Sequence, residues 1–233
     1  GSVICNLGLV LSVSAIISPI NKSREISSKS ILMLLMGIFI YSYSYFFGYG
    51  FISRILGLIL LSVAILYLIF SSLGRSFEES TNECEDSFKK IILFFVFGGS
   101  FVLFGSYLVV GNVIPIAKLM GVPEIVIALT MVAIGTSLPE LVMAVASSLK
   151  GHGGIALGNV VGANILNLTW VVGSAALYNP LKISHKTYFF DLPFMVLMMS
   201  LFLFFIFFRK KIKKLSGFFL LTTYFLYVVV SFF

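Results

Sequence analysis

Apolar residues run in long stretches along this chain, and short polar breaks divide them. The stretches fall at 3–20, 31–50, 52–73, 91–111, 124–148, 154–178, 187–208 and 217–233. A helix needs about 20 mostly apolar residues to cross the hydrocarbon core of a bilayer, so the pattern predicts eight transmembrane helices. Barrel strands alternate over roughly ten residues, whereas these stretches are longer and uniformly apolar. Helices also pair every backbone polar group within the segment, as a water-free core requires. The expected class is an all-α integral membrane protein.

Composition supports this reading. The chain is 59% hydrophobic and 11% charged, with a mean hydropathy of +1.10, against about 25% charged residues in soluble domains. So few charges cannot cover a surface in water, and the lipid bilayer is the partner the composition demands. The net charge of +7 does not point to nucleic acid, because its distribution follows the breaks. Lys22, Arg24, Lys29, Arg75, Lys89, Lys90, Lys150, Arg209, Lys210, Lys211, Lys213 and Lys214 occupy one set of connections, and Arg54, Lys118, Lys182 and Lys186 the alternate set. Basic connections stay cytoplasmic. The expectation is therefore a multi-pass cell-membrane protein with loop 74–90 cytoplasmic and both chain ends extracellular or periplasmic. Cys5 falls in a span and Cys84 in that loop, which excludes a disulfide between them.

Shifted by 161 residues, the chain matches itself. Gly1, Ile4, Asn6, Leu7, Val10, Ala15 and Pro19 meet Gly162, Ile165, Asn167, Leu168, Val171, Ala176 and Pro180. The next two stretches fall into step, 31–50 over 192–211 and 52–73 over 213–233. Spans one to three thus repeat as six to eight, and an odd offset of five spans reverses direction across the membrane. Inverted repeats of this kind are built into many secondary transporters. Spans four and five have no upstream counterpart, so roughly 75 residues carrying two more helices are expected before residue 1. The division read here is 1–73 for three helices of a first repeat, 74–90 for a short loop, and 91–233 for a complete second repeat. The whole would hold ten helices, five plus five.

One carboxylate lies deep in a span. Glu140 follows Ala133-Ile134-Gly135-Thr136-Ser137-Leu138-Pro139, and a charge at mid-membrane costs at least about 2.5–3.5 kcal/mol, which marks it as a functional candidate. Ala133, Thr136, Ser137 and Glu140 are spaced i, i+3, i+4 and i+7 and share a helix face. Pro139 cannot donate to the Gly135 carbonyl, and the resulting opening frees backbone oxygen. Hard cations such as Ca²⁺ take six to eight oxygen ligands, and this stretch offers a carboxylate, two hydroxyls and carbonyls together. Span six adds Gly158-Asn159-Val160-Val161-Gly162-Ala163-Asn164-Ile165-Leu166-Asn167. Asn159 and Asn164 read as ties between helices, while Asn167 is the better ligand because its repeat mate is Asn6, with Ser2 one turn before.

The motifs GTSLPE at 135–140 and GNVVGANILN at 158–167 resemble the second alpha-repeat of the sodium/calcium exchanger family, and GSVICN at 1–6 resembles the end of the first. The likeness, closest to the prokaryotic members, covers essentially the whole chain in span order. It implies adjoining Na⁺ and Ca²⁺ sites between two repeats, lined by Ala133, Thr136, Ser137, Glu140, Ser2 and Asn6, with Asn167 beside them. Two departures stand out: Ala163 occupies a position where many relatives have a serine ligand, and Asn167 one where some have aspartate. Proton-coupled relatives usually read GN-x-x-E at the carboxylate motif, so GTSLPE favours sodium. The resemblance also implies a second glutamate in the absent half-repeat. The chain by itself is therefore not expected to exchange ions unless another segment or chain supplies the two missing helices.

The remaining features are bland. Glu78, Glu79, Glu83, Glu85 and Asp86 read as a solvated loop, and the basic run 209–214 as a topology anchor. Asp191 and Glu124 read as residues snorkelling at span ends. The Phe-rich stretches 91–104 and 201–208 read as lipid-facing surface. His152 and His185 have no metal-ligand spacing to a partner, and no cofactor is expected. No span offers the paired aspartates, Ser–His arrangement or HExxH of an intramembrane enzyme. The function expected is Ca²⁺/Na⁺ antiport by alternating access, with proton-coupled exchange or a non-transporting membrane subunit as the alternatives.

Overall fold

A computed structural model describes residues 1–21, 24–47, 50–73, 85–122, 127, 132–208 and 211–232. Helices dominate, as the apolar stretches predict. Among the described residues, six are long and apolar enough to cross a bilayer: Glu25–Phe46, Arg54–Leu73, Ile92–Leu119, Gly153–Tyr178, Thr187–Phe208 and Lys214–Ser231. Two shorter apolar segments, Ser2–Ile17 and Leu138–Leu149, fall in the predicted stretches 3–20 and 124–148.

The duplication is visible in the element order. The first span is α1 (Ser2–Cys5), a π-helical turn at Asn6–Val10 and α2 (Leu11–Ile17). After β1 (Ile20–Asn21) come α3 (Arg24–Phe46), β2 (Phe51–Ile52) and α4 (Arg54–Leu73). The middle of the chain holds α5 (Glu85–Leu119), α6 (Ala133–Thr136) and α7 (Leu138–Leu149). The order then recurs as α8 (Gly153–Leu166), a π-helical turn at Asn167–Val171, α9 (Val172–Tyr178) and β3 (Leu181–Lys182). A third π-helical turn at Thr187–Asp191 leads into α10 (Leu192–Phe208), β4 (Lys211–Ile212) and α11 (Lys214–Phe232). Two of these three five-residue π turns open on the repeat asparagines, 161 residues apart. In the last span of each repeat the spacing tightens by one: Gly57, Tyr67 and Ser71 align with Gly217, Tyr227 and Ser231 at 160. This corrects the uniform offset expected from sequence.

The pairing of elements follows the same two-fold logic. α4 packs on α9, and its counterpart α11 packs on α2, while α3 packs on its own counterpart α10. β1 pairs antiparallel with β4 through Ile20 and Ile212, and β2 with β3 through Ile52 and Leu181. Among the described residues, these two-residue pairings are the exception to helical structure. Two close contacts need glycine. A Cβ at Gly57 would stand 2.9 Å from the Gly173 carbonyl oxygen, and one at Gly217 would stand 2.8 Å from that of Ser12. Small residues at these crossings let backbones approach, the main packing device where lipid removes the hydrophobic drive.

Several expectations are corrected. The loop expected over 74–90 is helical from Glu85, where α5 begins. Residues 74–84, with Glu78, Glu79, Glu83 and Cys84, lie outside the described residues, as do Glu124, Arg209 and Lys210. The stretch 91–104 does face outward, with Phe94, Phe97, Phe101 and Phe104 exposed. The stretch 201–208 does not do so uniformly: Phe202 and Ile206 are fully buried, because α10 packs on α3. Asp191 is buried rather than snorkelling, at 4% exposure. Its π-helical turn adds a residue to the winding and brings it to α11, where the Tyr227 hydroxyl donates to its Oδ1 at 2.9 Å.

Candidate cation site

The GTSLPE stretch breaks a helix, as Pro139 predicts, but the break sits two residues earlier. α6 ends at Thr136, Ser137 takes φ −94° and ψ 1°, and α7 restarts at Leu138 with proline in its first turn. A first-turn proline loses nothing, since that N–H has no intrahelical partner. The break also changes the expected face. Ala133 and Ser137 are buried and Glu140 is half-buried, but Thr136 is exposed and its hydroxyl donates to the Ala133 carbonyl at 3.1 Å. The Ser137 amide shares that carbonyl, also at 3.1 Å.

α1 crosses this break. The Ser2 and Ser137 hydroxyl oxygens lie 3.1 Å apart, joining the two glycine-led motifs through residues 135 positions apart in sequence. Asn6 follows Ser2 by four residues and Glu140 follows Ser137 by three, so each lies one turn along from the contact. The Asn167 amide donates to Ser2 Oγ at 3.4 Å, and the Asn6 amide donates to Asn164 Oδ1 at 2.9 Å. Asn164 therefore ties two spans together, as its position suggests. Hydrogen bonds thus join Ser2 to Ser137 and Asn167, and Ser137 to Ala133, while Asn6 bonds Asn164 and Glu140 lies on α7, which packs on the π turn that Asn6 opens. Thr136 joins them through backbone and turns its side chain outward.

The unsatisfied atoms carry the chemistry. Asn6 is fully buried, and its Oδ1 has no partner among the described residues; the same holds for Glu140 Oε2. A buried polar atom without a partner costs about 1–3 kcal/mol, more when charged. Both atoms are acceptors, so what would satisfy them is a donor or a cation. Ser2 and Ser137 hydroxyl oxygens and the Ala133 carbonyl complete a set of hard oxygens. No group of three or more His, Cys, Asp or Glu side chains forms among the described residues. Sequence reasoning missed Asp191 in its buried setting. The available signal was a carboxylate five residues inside a predicted span, which deserves a partner by default.

The family model "Sodium/calcium exchanger protein" matches residues 90–233. Sodium/calcium exchanger MaX1 of Methanosarcina acetivorans is 38% identical over 149 residues, covering 64% of this chain and 43% of that protein. Inner membrane protein YrbG of Escherichia coli is 32% identical over 215 residues, covering 87% of this chain and 65% of that protein. The chain thus spans less than two thirds of the length of these relatives. A structure of the sodium-calcium exchanger NCX_Mj soaked with Na⁺ and Sr²⁺ superposes with a TM-score of 0.82 and 32% identity, covering 98% of this chain and 74% of that one. The family model over more than half of the chain and the inverted pairing of helices agree with these likenesses: the chain belongs to the sodium/calcium exchanger family.

Proposed function

We propose that this chain forms the greater part of an antiporter exchanging Ca²⁺ for Na⁺ by alternating access. The observation that carries the reading is the pair of buried, unpartnered acceptors, Glu140 Oε2 and Asn6 Oδ1, one turn either side of the Ser2–Ser137 contact. Glu140 is the charged ligand, with the Ser2 and Ser137 hydroxyls, the Ala133 carbonyl and the Asn6 and Asn167 amide oxygens as neutral ones. Thr136 contributes by rotating inward, which costs only its bond to Ala133. Ca²⁺ takes six to eight oxygens and Na⁺ needs less charge, so a mixed set with few acids can pass between the two ions. Na⁺ and Sr²⁺ accompany the exchanger NCX_Mj in the matching structure, which supports the same ion classes here.

The division into 1–73, 74–90 and 91–233 is part of this reading, as are cytoplasmic placement of 74–90 and outward placement of both ends. So is the supply of two further helices, with a second acid, by another segment or chain. The test is Ca²⁺ uptake into vesicles containing the exchanger completed by those helices. Uptake that follows an imposed Na⁺ gradient at fixed pH, and is lost in Glu140→Gln, is the expected result. Uptake that follows only a proton gradient replaces Na⁺ by H⁺ as the coupling ion, and uptake indifferent to Glu140→Gln overturns the site.

A further inference from the structure

Asp191 is a buried intramembrane acid that the cation site does not use. Its Oδ1 accepts the Tyr227 hydroxyl, and its Oδ2 is buried with no partner among the described residues. Tyr227 is itself 1% exposed. Its ring stacks between Phe190, 5.7 Å away at 10°, and Phe194, 4.6 Å away at 26°. The ring contacts fix where the hydroxyl points, and Asp191 meets it there. The hydrogen bond therefore ties α11 to the π-helical turn that begins the neighbouring span.

Those two helices form a groove, and the first span lies in it. α10 packs on α1 and on the π turn at Asn6–Val10, while α11 packs on that turn and on α2. Tyr224, one turn before Tyr227, lies directly against Gly8. The segment held in the groove carries Ser2 and Asn6. The repeat makes the tie specific: the position matching Asp191 in the first repeat is Ser30, whose hydroxyl is spent on the Ile26 carbonyl at 2.7 Å. The scaffold is duplicated, but the acid–tyrosine tie stands behind only one wall of the site.

We propose that Asp191 is a positioning residue for the cation site: by accepting the Tyr227 hydroxyl it sets the width of the groove that presents Ser2 and Asn6 to the ion. The inference rests on the exchanger reading. Its role is acceptance of one hydrogen bond, so an amide at 191 serves as well as the acid.

Initial rates of Ca²⁺ uptake by the completed exchanger in vesicles test it. Asp191→Ala and Tyr227→Phe should each raise the apparent KM for Ca²⁺ by about tenfold while Vmax stays within about twofold. The double variant should be no worse than either single one, because both remove the same bond. Asp191→Asn should stay within about twofold of the parent in both constants. Additive losses, an Asn variant as impaired as the Ala variant, or an unchanged KM would overturn the proposal. Tyr227→Phe keeps the stacked ring, so it still decides the matter if Asp191→Ala does not assemble. Loss of uptake in Glu140→Gln serves as the control; its persistence would instead remove the exchanger reading.

Discussion

The three helices of 1–73 and their counterparts in 162–232 share a backbone plan but not a set of side chains. Ser2 faces Ala163 across the repeat, Val3 faces Asn164, Gly8 faces Thr169, Ser30 faces Asp191 and Ala64 faces Tyr224. These exchanges compensate one another. The hydroxyl missing at 163 is matched by an amide at 164 that reaches Asn6. The bulk of Tyr224 fits against the missing side chain of Gly8, and at the mate positions, Ala64 and Thr169, the small and large residues are exchanged. Duplication thus supplied the crossing geometry, and divergence divided volume and polarity between the halves so that each interface still closes.

The comparison can be broken most severely at the volume exchange. Gly8→Thr alone, which copies the second repeat into the first, would bring its Cβ to 2.4 Å from that of Tyr224 and should cost about 3 kcal/mol or more, as severe overpacking does. Adding Tyr224→Ala should recover most of that loss, read as the thermal midpoint of the purified protein in detergent. Failure of the second change to rescue would mean that the two positions are not a traded pair.

A smaller effect is expected at the asparagine tie. Asn6→Ala leaves Asn164 Oδ1 buried without its donor and should cost about 1–3 kcal/mol, whereas Asn167→Ala, whose 3.4 Å contact with Ser2 is long and half-buried, should cost under about 1 kcal/mol. The same thermal assay separates them, and equal losses would contradict the asymmetry. Smallest of the three is the hydroxyl exchange. Ser2→Ala should weaken Ca²⁺ affinity of the completed exchanger by roughly tenfold, and Ala163→Ser should change it by no more than about threefold. Calorimetric titration with Ca²⁺ measures both, and a larger effect at 163 would move the centre of the site toward α8.

Much of this was legible before any coordinates. Run length alone placed the six long helices found among the described residues, since a bilayer demands an unbroken apolar segment. The GTSLPE and GNVVGANILN motifs located the crossing, because a proline beside glycine and an acid among hydroxyls are costly in lipid without a purpose. Asp191 was misjudged for a related reason: a residue near the end of an apolar run reads equally as an interfacial charge or an interior one. The one-residue tightening between the third spans was also hidden, since turns absorb such shifts without altering hydropathy.

Sequence by itself determined the spans, the inverted duplication and the family-bearing motifs, all of which are local properties of the chain. Tertiary structure decided which side of each helix meets protein. A helix apolar all round has no polar face to orient it, and in lipid its rotation is set by contacts with its neighbours. That is why the Ser2–Ser137 contact, the break at Ser137, the Asn6–Asn164 tie and the Asp191–Tyr227 bond emerged only once the helices were packed.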